Sequence, residues 1–303
     1  MADPKKPRPE DESSDEECIV EDMGSDEEQE GDENMEINEE IQVDFEGFSI
    51  TDSDFHGIRQ MLHQLFPKDN VDISEIANIL IGQNFIGTLL KQSEFEEDES
   101  DDGDDNDQVF GVTSCLSLNG MHEQNDAIKQ LLKILALNCE KFETEESCKE
   151  KFKMILESNK EDGCVGWIIN ERFINIPPQV SLPMFEKLQT ELVEARSNKK
   201  HKNCYEFTHY IMICKTYCPL TPEGKKFDSS KLQFINSEEE LFFEEADVHF
   251  TYTPVGAAAL LSGKWEEDSA EMQSCRTVLL VTKDRIPNVM AKLQQHLTLP
   301  VAQ

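Results

Sequence analysis

The sequence predicts a mixed α/β fold, one sheet covered by helices, behind an acidic disordered N-terminus. Three observations predict it. Some segments alternate apolar and polar residues with period two, while others repeat apolar residues at the 3.6-residue helical spacing. The two kinds interleave over some 260 residues, and no Pro/Gly-rich linker divides them. Residues 1–40 are therefore expected as a disordered tail and residues 41–299 as a single domain, with an acidic loop inserted at 94–107. No internal repeat is visible.

In residues 1–40 nearly every second residue is Asp or Glu, and Cys18, Ile19, Val20, Met23, Met35 and Ile37 keep no period. Ile41–Ile50 alternates like a strand and runs into Thr51, Asp52 and Ser53, three candidate helix caps. Phe55, Ile58, Leu62, Leu65 and Phe66 then follow helical spacing until Pro67, and a shorter helix is expected to open at Ser74 and carry Ile76, Ile79 and Leu80. The run from Glu94 to Asp107 holds ten carboxylates and no Lys or Arg, between two apolar segments, so it reads as a loop within the domain. Phe110, Val112, Leu116 and Leu118 alternate as in a half-buried strand, and Ile128, Leu131, Leu132 and Leu135 return to helical spacing.

A second amphipathic stretch, Phe152–Leu156, leads to an apolar segment that ends at Pro177 and Pro178. A helix starting near Ser181 follows, marked by Leu182, Phe185, Leu188 and Leu192, with Pro183 in the first turn where a missing N–H costs little. After the basic loop Ser197–Cys204 comes a long strand-like run, Tyr205–Cys218. Two more strands are expected at Asp247–Thr253 and Thr277–Val281, the second a central one. Ile286, Val289, Met290, Leu293 and Leu297 mark a closing helix.

The 303 residues carry 63 acidic and 28 basic side chains, a formal charge of −35. Such a field repels nucleic acid and anionic membranes and draws in Lys/Arg-rich surfaces within the reach of salt screening, so neither direct nucleic-acid nor membrane binding is expected. Nine scattered cysteines and the lack of any Asn-X-Ser/Thr site point to a reducing compartment. The charged, Pro-rich start has no apolar run behind it, which argues against secretion.

His201, Cys204, His209, Cys214 and Cys218 invite a zinc assignment. If the run is extended, though, the cysteines share one face, His209 takes the other, and Cys204 and Cys218 stand roughly 45 Å apart. Buried thiols in a strand are expected instead. Gly256–Trp265 resembles a phosphate loop, but Ala258 replaces the first glycine and Trp265 the magnesium-binding Ser/Thr, so a surface turn carrying Lys264 is expected. No catalytic, cofactor or metal site is assigned. Carboxylates in solvated runs lack the fixed separation and partial dryness that acid/base chemistry needs. Glu94, Glu96, Glu97, Asp98, Glu99, Asp101, Asp102, Asp104, Asp105 and Asp107 are instead the candidate partner-binding groups. Lys5, Lys6 and Arg8, with Lys199, Lys200 and Lys202, form two candidate import motifs. Ser13, Ser14 and Ser25, each with an acidic residue three positions on, suit an acidophilic kinase.

The segments Phe45–Phe66, Val109–Leu118, ERFINIPPQVSLPMFEKLQTEL (Glu171–Leu192), Ser237–Tyr252, SGKW and RTVLLV together resemble the BCCIP family of nuclear proteins, across about Phe45 to Leu297. The ERFINIPPQ stretch is the most specific, because generic helix chemistry does not explain its double proline. Animal members are known as partners of a breast-cancer-susceptibility recombination mediator and of a cyclin-dependent-kinase inhibitor, and the yeast relative escorts a basic large-subunit ribosomal protein. The resemblance implies an N-acetyltransferase-like fold and a nuclear location, with shuttling to the cytoplasm or a spindle-pole association in view. It also implies roles in ribosome biogenesis, nuclear export, the cell cycle and DNA repair. Acetyltransferases hold acetyl-coenzyme A through a Gln/Arg-X-X-Gly-X-Gly loop. None is present, and Gly163 and Gly166 have the wrong spacing behind Glu161 and Asp162. A non-enzymatic escort is therefore expected, with a regulatory scaffold and an acyltransferase as the rival readings.

Overall fold

In the computed structural model of the chain, the described residues are 44–93, 108–143, 145–158, 163–199, 202–219, 231–255 and 272–298. All belong to one unit, Val43–Gln303. Its strands are β1 (Phe45–Ser49), β2 (Thr88–Gln92), β3 (Gly111–Ser117), β4 (Cys164–Arg172), β5 (Phe207–Pro219), β6 (Gln233–Phe234), β7 (Val248–Tyr252) and β8 (Met272–Thr282). They form one mixed sheet in the order β1-β2-β3-β4-β5-β8-β7, with β6 set against β5. Every pairing is antiparallel except β4 with β5.

Among the described residues seven helices cover the sheet: α1 (Phe55–Leu65), α2 (Ile73–Gly82), α3 (Asp126–Phe142), α4 (Glu146–Leu156), α5 (Ser181–Ser197), α6 (Glu239–Glu244) and α7 (Ile286–Leu297). Strand alternation decides which strand residues meet which helices. Val165, Trp167 and Ile169 of β4, Ile211 and Ile213 of β5 and Val278 and Leu280 of β8 pack with α1 to α4. The intervening Cys164 and Ile168, Tyr210, Met212 and Cys214, and Leu279 and Val281 pack with α5 to α7. Both faces of the central strands are thus covered, so β3, expected to be half-buried, is buried along its whole length.

Two caps differ from the sequence expectation. The Asp72 carboxylate accepts the Glu75 amide at 3.0 Å, so α2 opens at Ile73 rather than at Ser74. Thr51 caps a single 3₁₀ turn, Asp52–Asp54, through a reciprocal box with Asp54. The Asp54 carboxylate accepts from the Thr51 amide and hydroxyl, both at 2.7 Å, and pairs with Lys91 of β2 at 2.7 Å. The edge of the sheet is thereby tied to the start of α1. β2, β6 and α6 were not expected. Gly87, just before β2, has φ +136, and a Cβ there would stand 2.7 Å from Ile50 Cδ1, so only glycine fits this turn.

Candidate functional site

β4 and β5 pair from Cys164 to Ile168 and then separate. Their far halves are held elsewhere. Ile169–Arg172 continues along β3, and Thr216 and Tyr217 pair with Phe234 and Gln233 of β6. In open α/β sheets, the crevice beyond the carboxyl ends of parallel strands is where ligands characteristically bind. Here the chain's own segment, from β6 through α6, closes it.

The closure is polar. Separation of the strands would orphan the Asn170 carbonyl, but the Asn236 amide donates to it at 3.1 Å and also to Glu239 Oε1 at 2.8 Å. The Asn170 side-chain amide donates to Glu238 Oε1 at 3.0 Å and to Glu239 Oε1 at 3.1 Å, while its oxygen accepts from Thr113. Arg172 grips Glu238 with both terminal nitrogens, the Nη2–Oε2 arm measuring 2.7 Å, and its Nε donates to the Ile176 carbonyl. On the opposite face of the sheet, Lys215 pairs with Glu171 at 2.7 Å and donates to Gln64 Oε1 at 2.7 Å. Asn170, Glu171, Arg172, Lys215, Asn236, Glu238 and Glu239 are all buried.

Burial, reinforced by the Glu171 and Glu238 carboxylates, pushes the Glu239 carboxyl up to about 8. The geometry agrees: Oε1 takes both amide donors, while among the described residues no amide, hydroxyl or cationic group donates to Oε2, an arrangement that suits a neutral acid better than a desolvated anion. Burial also raises Glu171 against the pull of Lys215, Arg276 and Arg172. It raises the neighbouring Cys214 thiol as well, with Glu239 adding to the effect.

The chain leaves β4 through Phe173–Pro177 and a 3₁₀ turn, Pro178–Val180, into α5. Pro177, Pro178 and Pro183 have no N–H, so this junction lacks the run of free amides that a pyrophosphate site at a helix N-terminus requires. Cys164–Gly166 lies within β4 and forms no loop.

The carboxylates from Glu94 to Asp107, the serines Ser13, Ser14 and Ser25, the basic residues Lys5, Lys6, Arg8 and Lys200, the candidate ligand His201 and the Gly256–Trp265 turn all lie outside the described residues. Lys199 is exposed just after α5, and Lys202 opens the 3₁₀ turn Lys202–Cys204. Cys214 and Cys218 are buried thiols of β5, whereas Cys204 precedes the strand and is half-buried. Among the described residues, no group of three His, Cys, Asp or Glu could hold a metal ion. No described helix is long and apolar enough to cross a membrane. The network itself escaped the sequence reading, although its two halves lie at two of the segments that carried the family resemblance. The available signal was Asn170-Glu171-Arg172 at the end of an apolar strand, where three polar side chains need partners.

These features define a class: a mixed-sheet α/β protein whose strand-end crevice is sealed by its own buried ion pairs. Comparison with known proteins shows the family. The BCCIP family model matches residues 40–248. The chain is 37% identical over 269 residues to the cattle (Bos taurus) protein named BRCA2 and CDKN1A-interacting protein, covering 86% of this chain and 85% of the relative. It is 39% identical to the zebrafish (Danio rerio) protein BCCIP homolog, over 84% of each chain. The crystal structure of BCP1 from Saccharomyces cerevisiae shares the fold at 16% identity, with a TM-score of 0.55 over 88% of this chain and 93% of that one. The chain belongs to the BCCIP family.

Proposed function

We propose that this chain is a non-enzymatic nuclear escort that shields a basic ribosomal protein during ribosome biogenesis and nuclear export, with cell-cycle and DNA-repair links. Its folded unit supplies shape and its acidic segments supply attraction. The observation that carries this reading is the position of the run Glu94–Asp107 between β2 and β3. These strands already pair through Thr88–Leu90 and Gly111–Thr113, and the Phe110 amide donates to the Leu90 carbonyl at 2.8 Å. An antiparallel pair needs only a short turn, so the fold has no need of ten extra carboxylates there. A dense negative segment on a chain of charge −35 suits a cationic surface, steering its approach and masking its charge.

For the folded unit, the apolar groove between α5 and α7 is the surface on offer. It measures about 310 Å³ and is lined by Phe185, Leu188, Leu192, Tyr210, Ile286 and Met290, together with the charged Arg196, Lys283 and Asp284. The non-enzymatic reading is supported by the sealed crevice and by the prolines at its helix. Saturable micromolar binding of acetyl-coenzyme A in calorimetry would overturn that part.

The main test measures binding to a basic large-subunit ribosomal protein at ~50 and ~500 mM salt, with the full chain and with residues 94–107 removed. Affinity is expected to fall steeply with salt for the full chain and less steeply for the deletion. Identical curves remove the acidic run from the mechanism. The names of the relatives favour a second reading, a scaffold for a recombination mediator and a kinase inhibitor. If removal of residues 1–40 and 94–107 leaves every partner bound at physiological salt, that reading gains.

A further inference from the structure

We infer that the opening beside the sealed crevice, on the α1 side of the sheet, is a binding site for a small organic anion, a carboxylate or phosphate monoester on a short apolar stem, held by Lys215 and Arg276. The opening measures about 370 Å³, within the range of small-molecule sites. Lys215 and Arg276 line it, and both are more than nine-tenths buried. Buried cations in a chain so rich in carboxylates would be expected to meet carboxylates directly, and Arg276 does not. Its guanidinium donates to the carbonyls of Leu65 (2.9 Å), Gln64 and Cys275 (2.7 Å), and more distantly to the Ser274 hydroxyl (3.5 Å). Glu171 and Asp69 act on it only through space, and burial pulls its proton affinity down.

Counting donors gives the capacity of the site. An ammonium has three N–H bonds, and Lys215 uses two, on Gln64 and Glu171. A guanidinium has five, and the four contacts of Arg276 leave one. Two desolvated donors of like charge therefore remain, on paired residues of adjacent strands that both line one cavity. The Ser274 and Tyr217 side chains line it beside them. Apart from Gln64, whose oxygen is already held by Lys215, the remaining wall is apolar, made by Phe173, Ile174 and Ile235, which is why the fitting ligand carries a hydrocarbon stem. The structural alternative is that Arg276 serves only to cap the C-terminal carbonyls of α1, where the helix dipole favours a cation. That role uses two of its contacts, those on Leu65 and Gln64, and leaves the cavity and the spare Lys215 donor without a purpose. The site is independent of the escort reading, which concerns residues 94–107.

The test titrates the full chain with hexanoate and hexyl phosphate, using 1-hexanol and hexylammonium as controls, followed by calorimetry and protein NMR. At least one anion is expected to bind saturably and about tenfold or more tightly than hexanol, since a charge-assisted hydrogen bond is worth about that much. Ile174→Glu places a carboxylate at the mouth. Ile174 is 79% exposed, so this variant folds, and it should lose at least about tenfold in anion affinity. Lys215→Met should lose a similar factor if it folds. Equal binding of hexanol and hexanoate reduces the opening to an apolar crevice. No saturation by either anion, or an unchanged affinity in Ile174→Glu, leaves Arg276 as a helix cap only. Each of these overturns the inference.

Discussion

Glu239 is a buried carboxyl that should hold its proton through neutral pH, and Glu239→Gln tests this directly. Glutamine keeps the shape and an oxygen for the Asn170 and Asn236 amides, but it cannot ionise. In the folded chain the carboxyl titrates at about 8, against 4.5 for an ordinary one. Between those values the native state holds a proton that the unfolded state has released. Its contribution to stability is therefore complete below about 4.5 and is lost as pH rises through about 8. At roughly 1.4 kcal/mol per pH unit, the whole span is worth on the order of 5 kcal/mol, of which about 2 kcal/mol disappears between pH 6 and 8.

The Cys115 and Cys275 thiols, pushed up by burial, contribute stability that is complete below their ordinary value of 9.0 and is lost only above it, outside that window. His122 and His209, held below their usual values by desolvation, contribute stability that is lost as pH falls below about 6.5. Both effects are common to the two proteins and cancel in the difference. Urea unfolding at pH 6, 7 and 8 should show the wild type losing about 2 kcal/mol more than Glu239→Gln. Parallel curves, within about 0.5 kcal/mol, would show that Glu239 is already ionised at pH 6 and that the reasoning from its burial is wrong.

Two further outcomes follow from the same geometry. Arg172→Met strands the Glu238 carboxylate in the sealed crevice and should cost about 3–5 kcal/mol by chemical denaturation, while adding Glu238→Leu should restore a large part of that loss. Asp54→Ala removes the cap of the turn before α1 and the counter-ion of Lys91 together. About 2–4 kcal/mol is expected in thermal or urea unfolding, with a smaller loss for Asp54→Asn, which keeps an oxygen for Thr51.

The amphipathic helices were legible because their signal is local: Ile58, Leu62 and Leu65, or Val289 and Leu293, state the buried face within a single window. The long strands β5 and β8 were legible as apolar runs for the same reason. What escaped depended on partners far along the chain. β2 is only five residues, Thr-Leu-Leu-Lys-Gln, without alternation and next to the acidic run. The segment around α6, Ser-Glu-Glu-Glu-Leu-Phe-Phe-Glu-Glu, has the composition of a solvated surface. Glu238 is buried because Arg172 meets it from 66 residues away, which no local pattern discloses. The Asp72 cap was missed in favour of Ser74, two residues on, since both carry capping oxygens and only the backbone path selects between them.

Acidity therefore has two separable meanings in this chain. Glu171, Glu238 and Glu239 sit where two parallel strands part, their geometry fixed by Asn170, Arg172, Lys215 and Asn236, and their role is to close the sheet over a gap. The carboxylates from Glu94 to Asp107 join two strands that already pair, and removing them takes no hydrogen bond from that pairing. Substitutions at Glu238 and Glu239 should move stability and its pH dependence while leaving the salt sensitivity of partner binding unchanged in whatever fraction stays folded. Neutralising 94–107 should do the reverse. A chain in which both sets moved both quantities would have its binding surface at the sealed crevice itself, and attraction by the acidic run would then be secondary to contact with the fold.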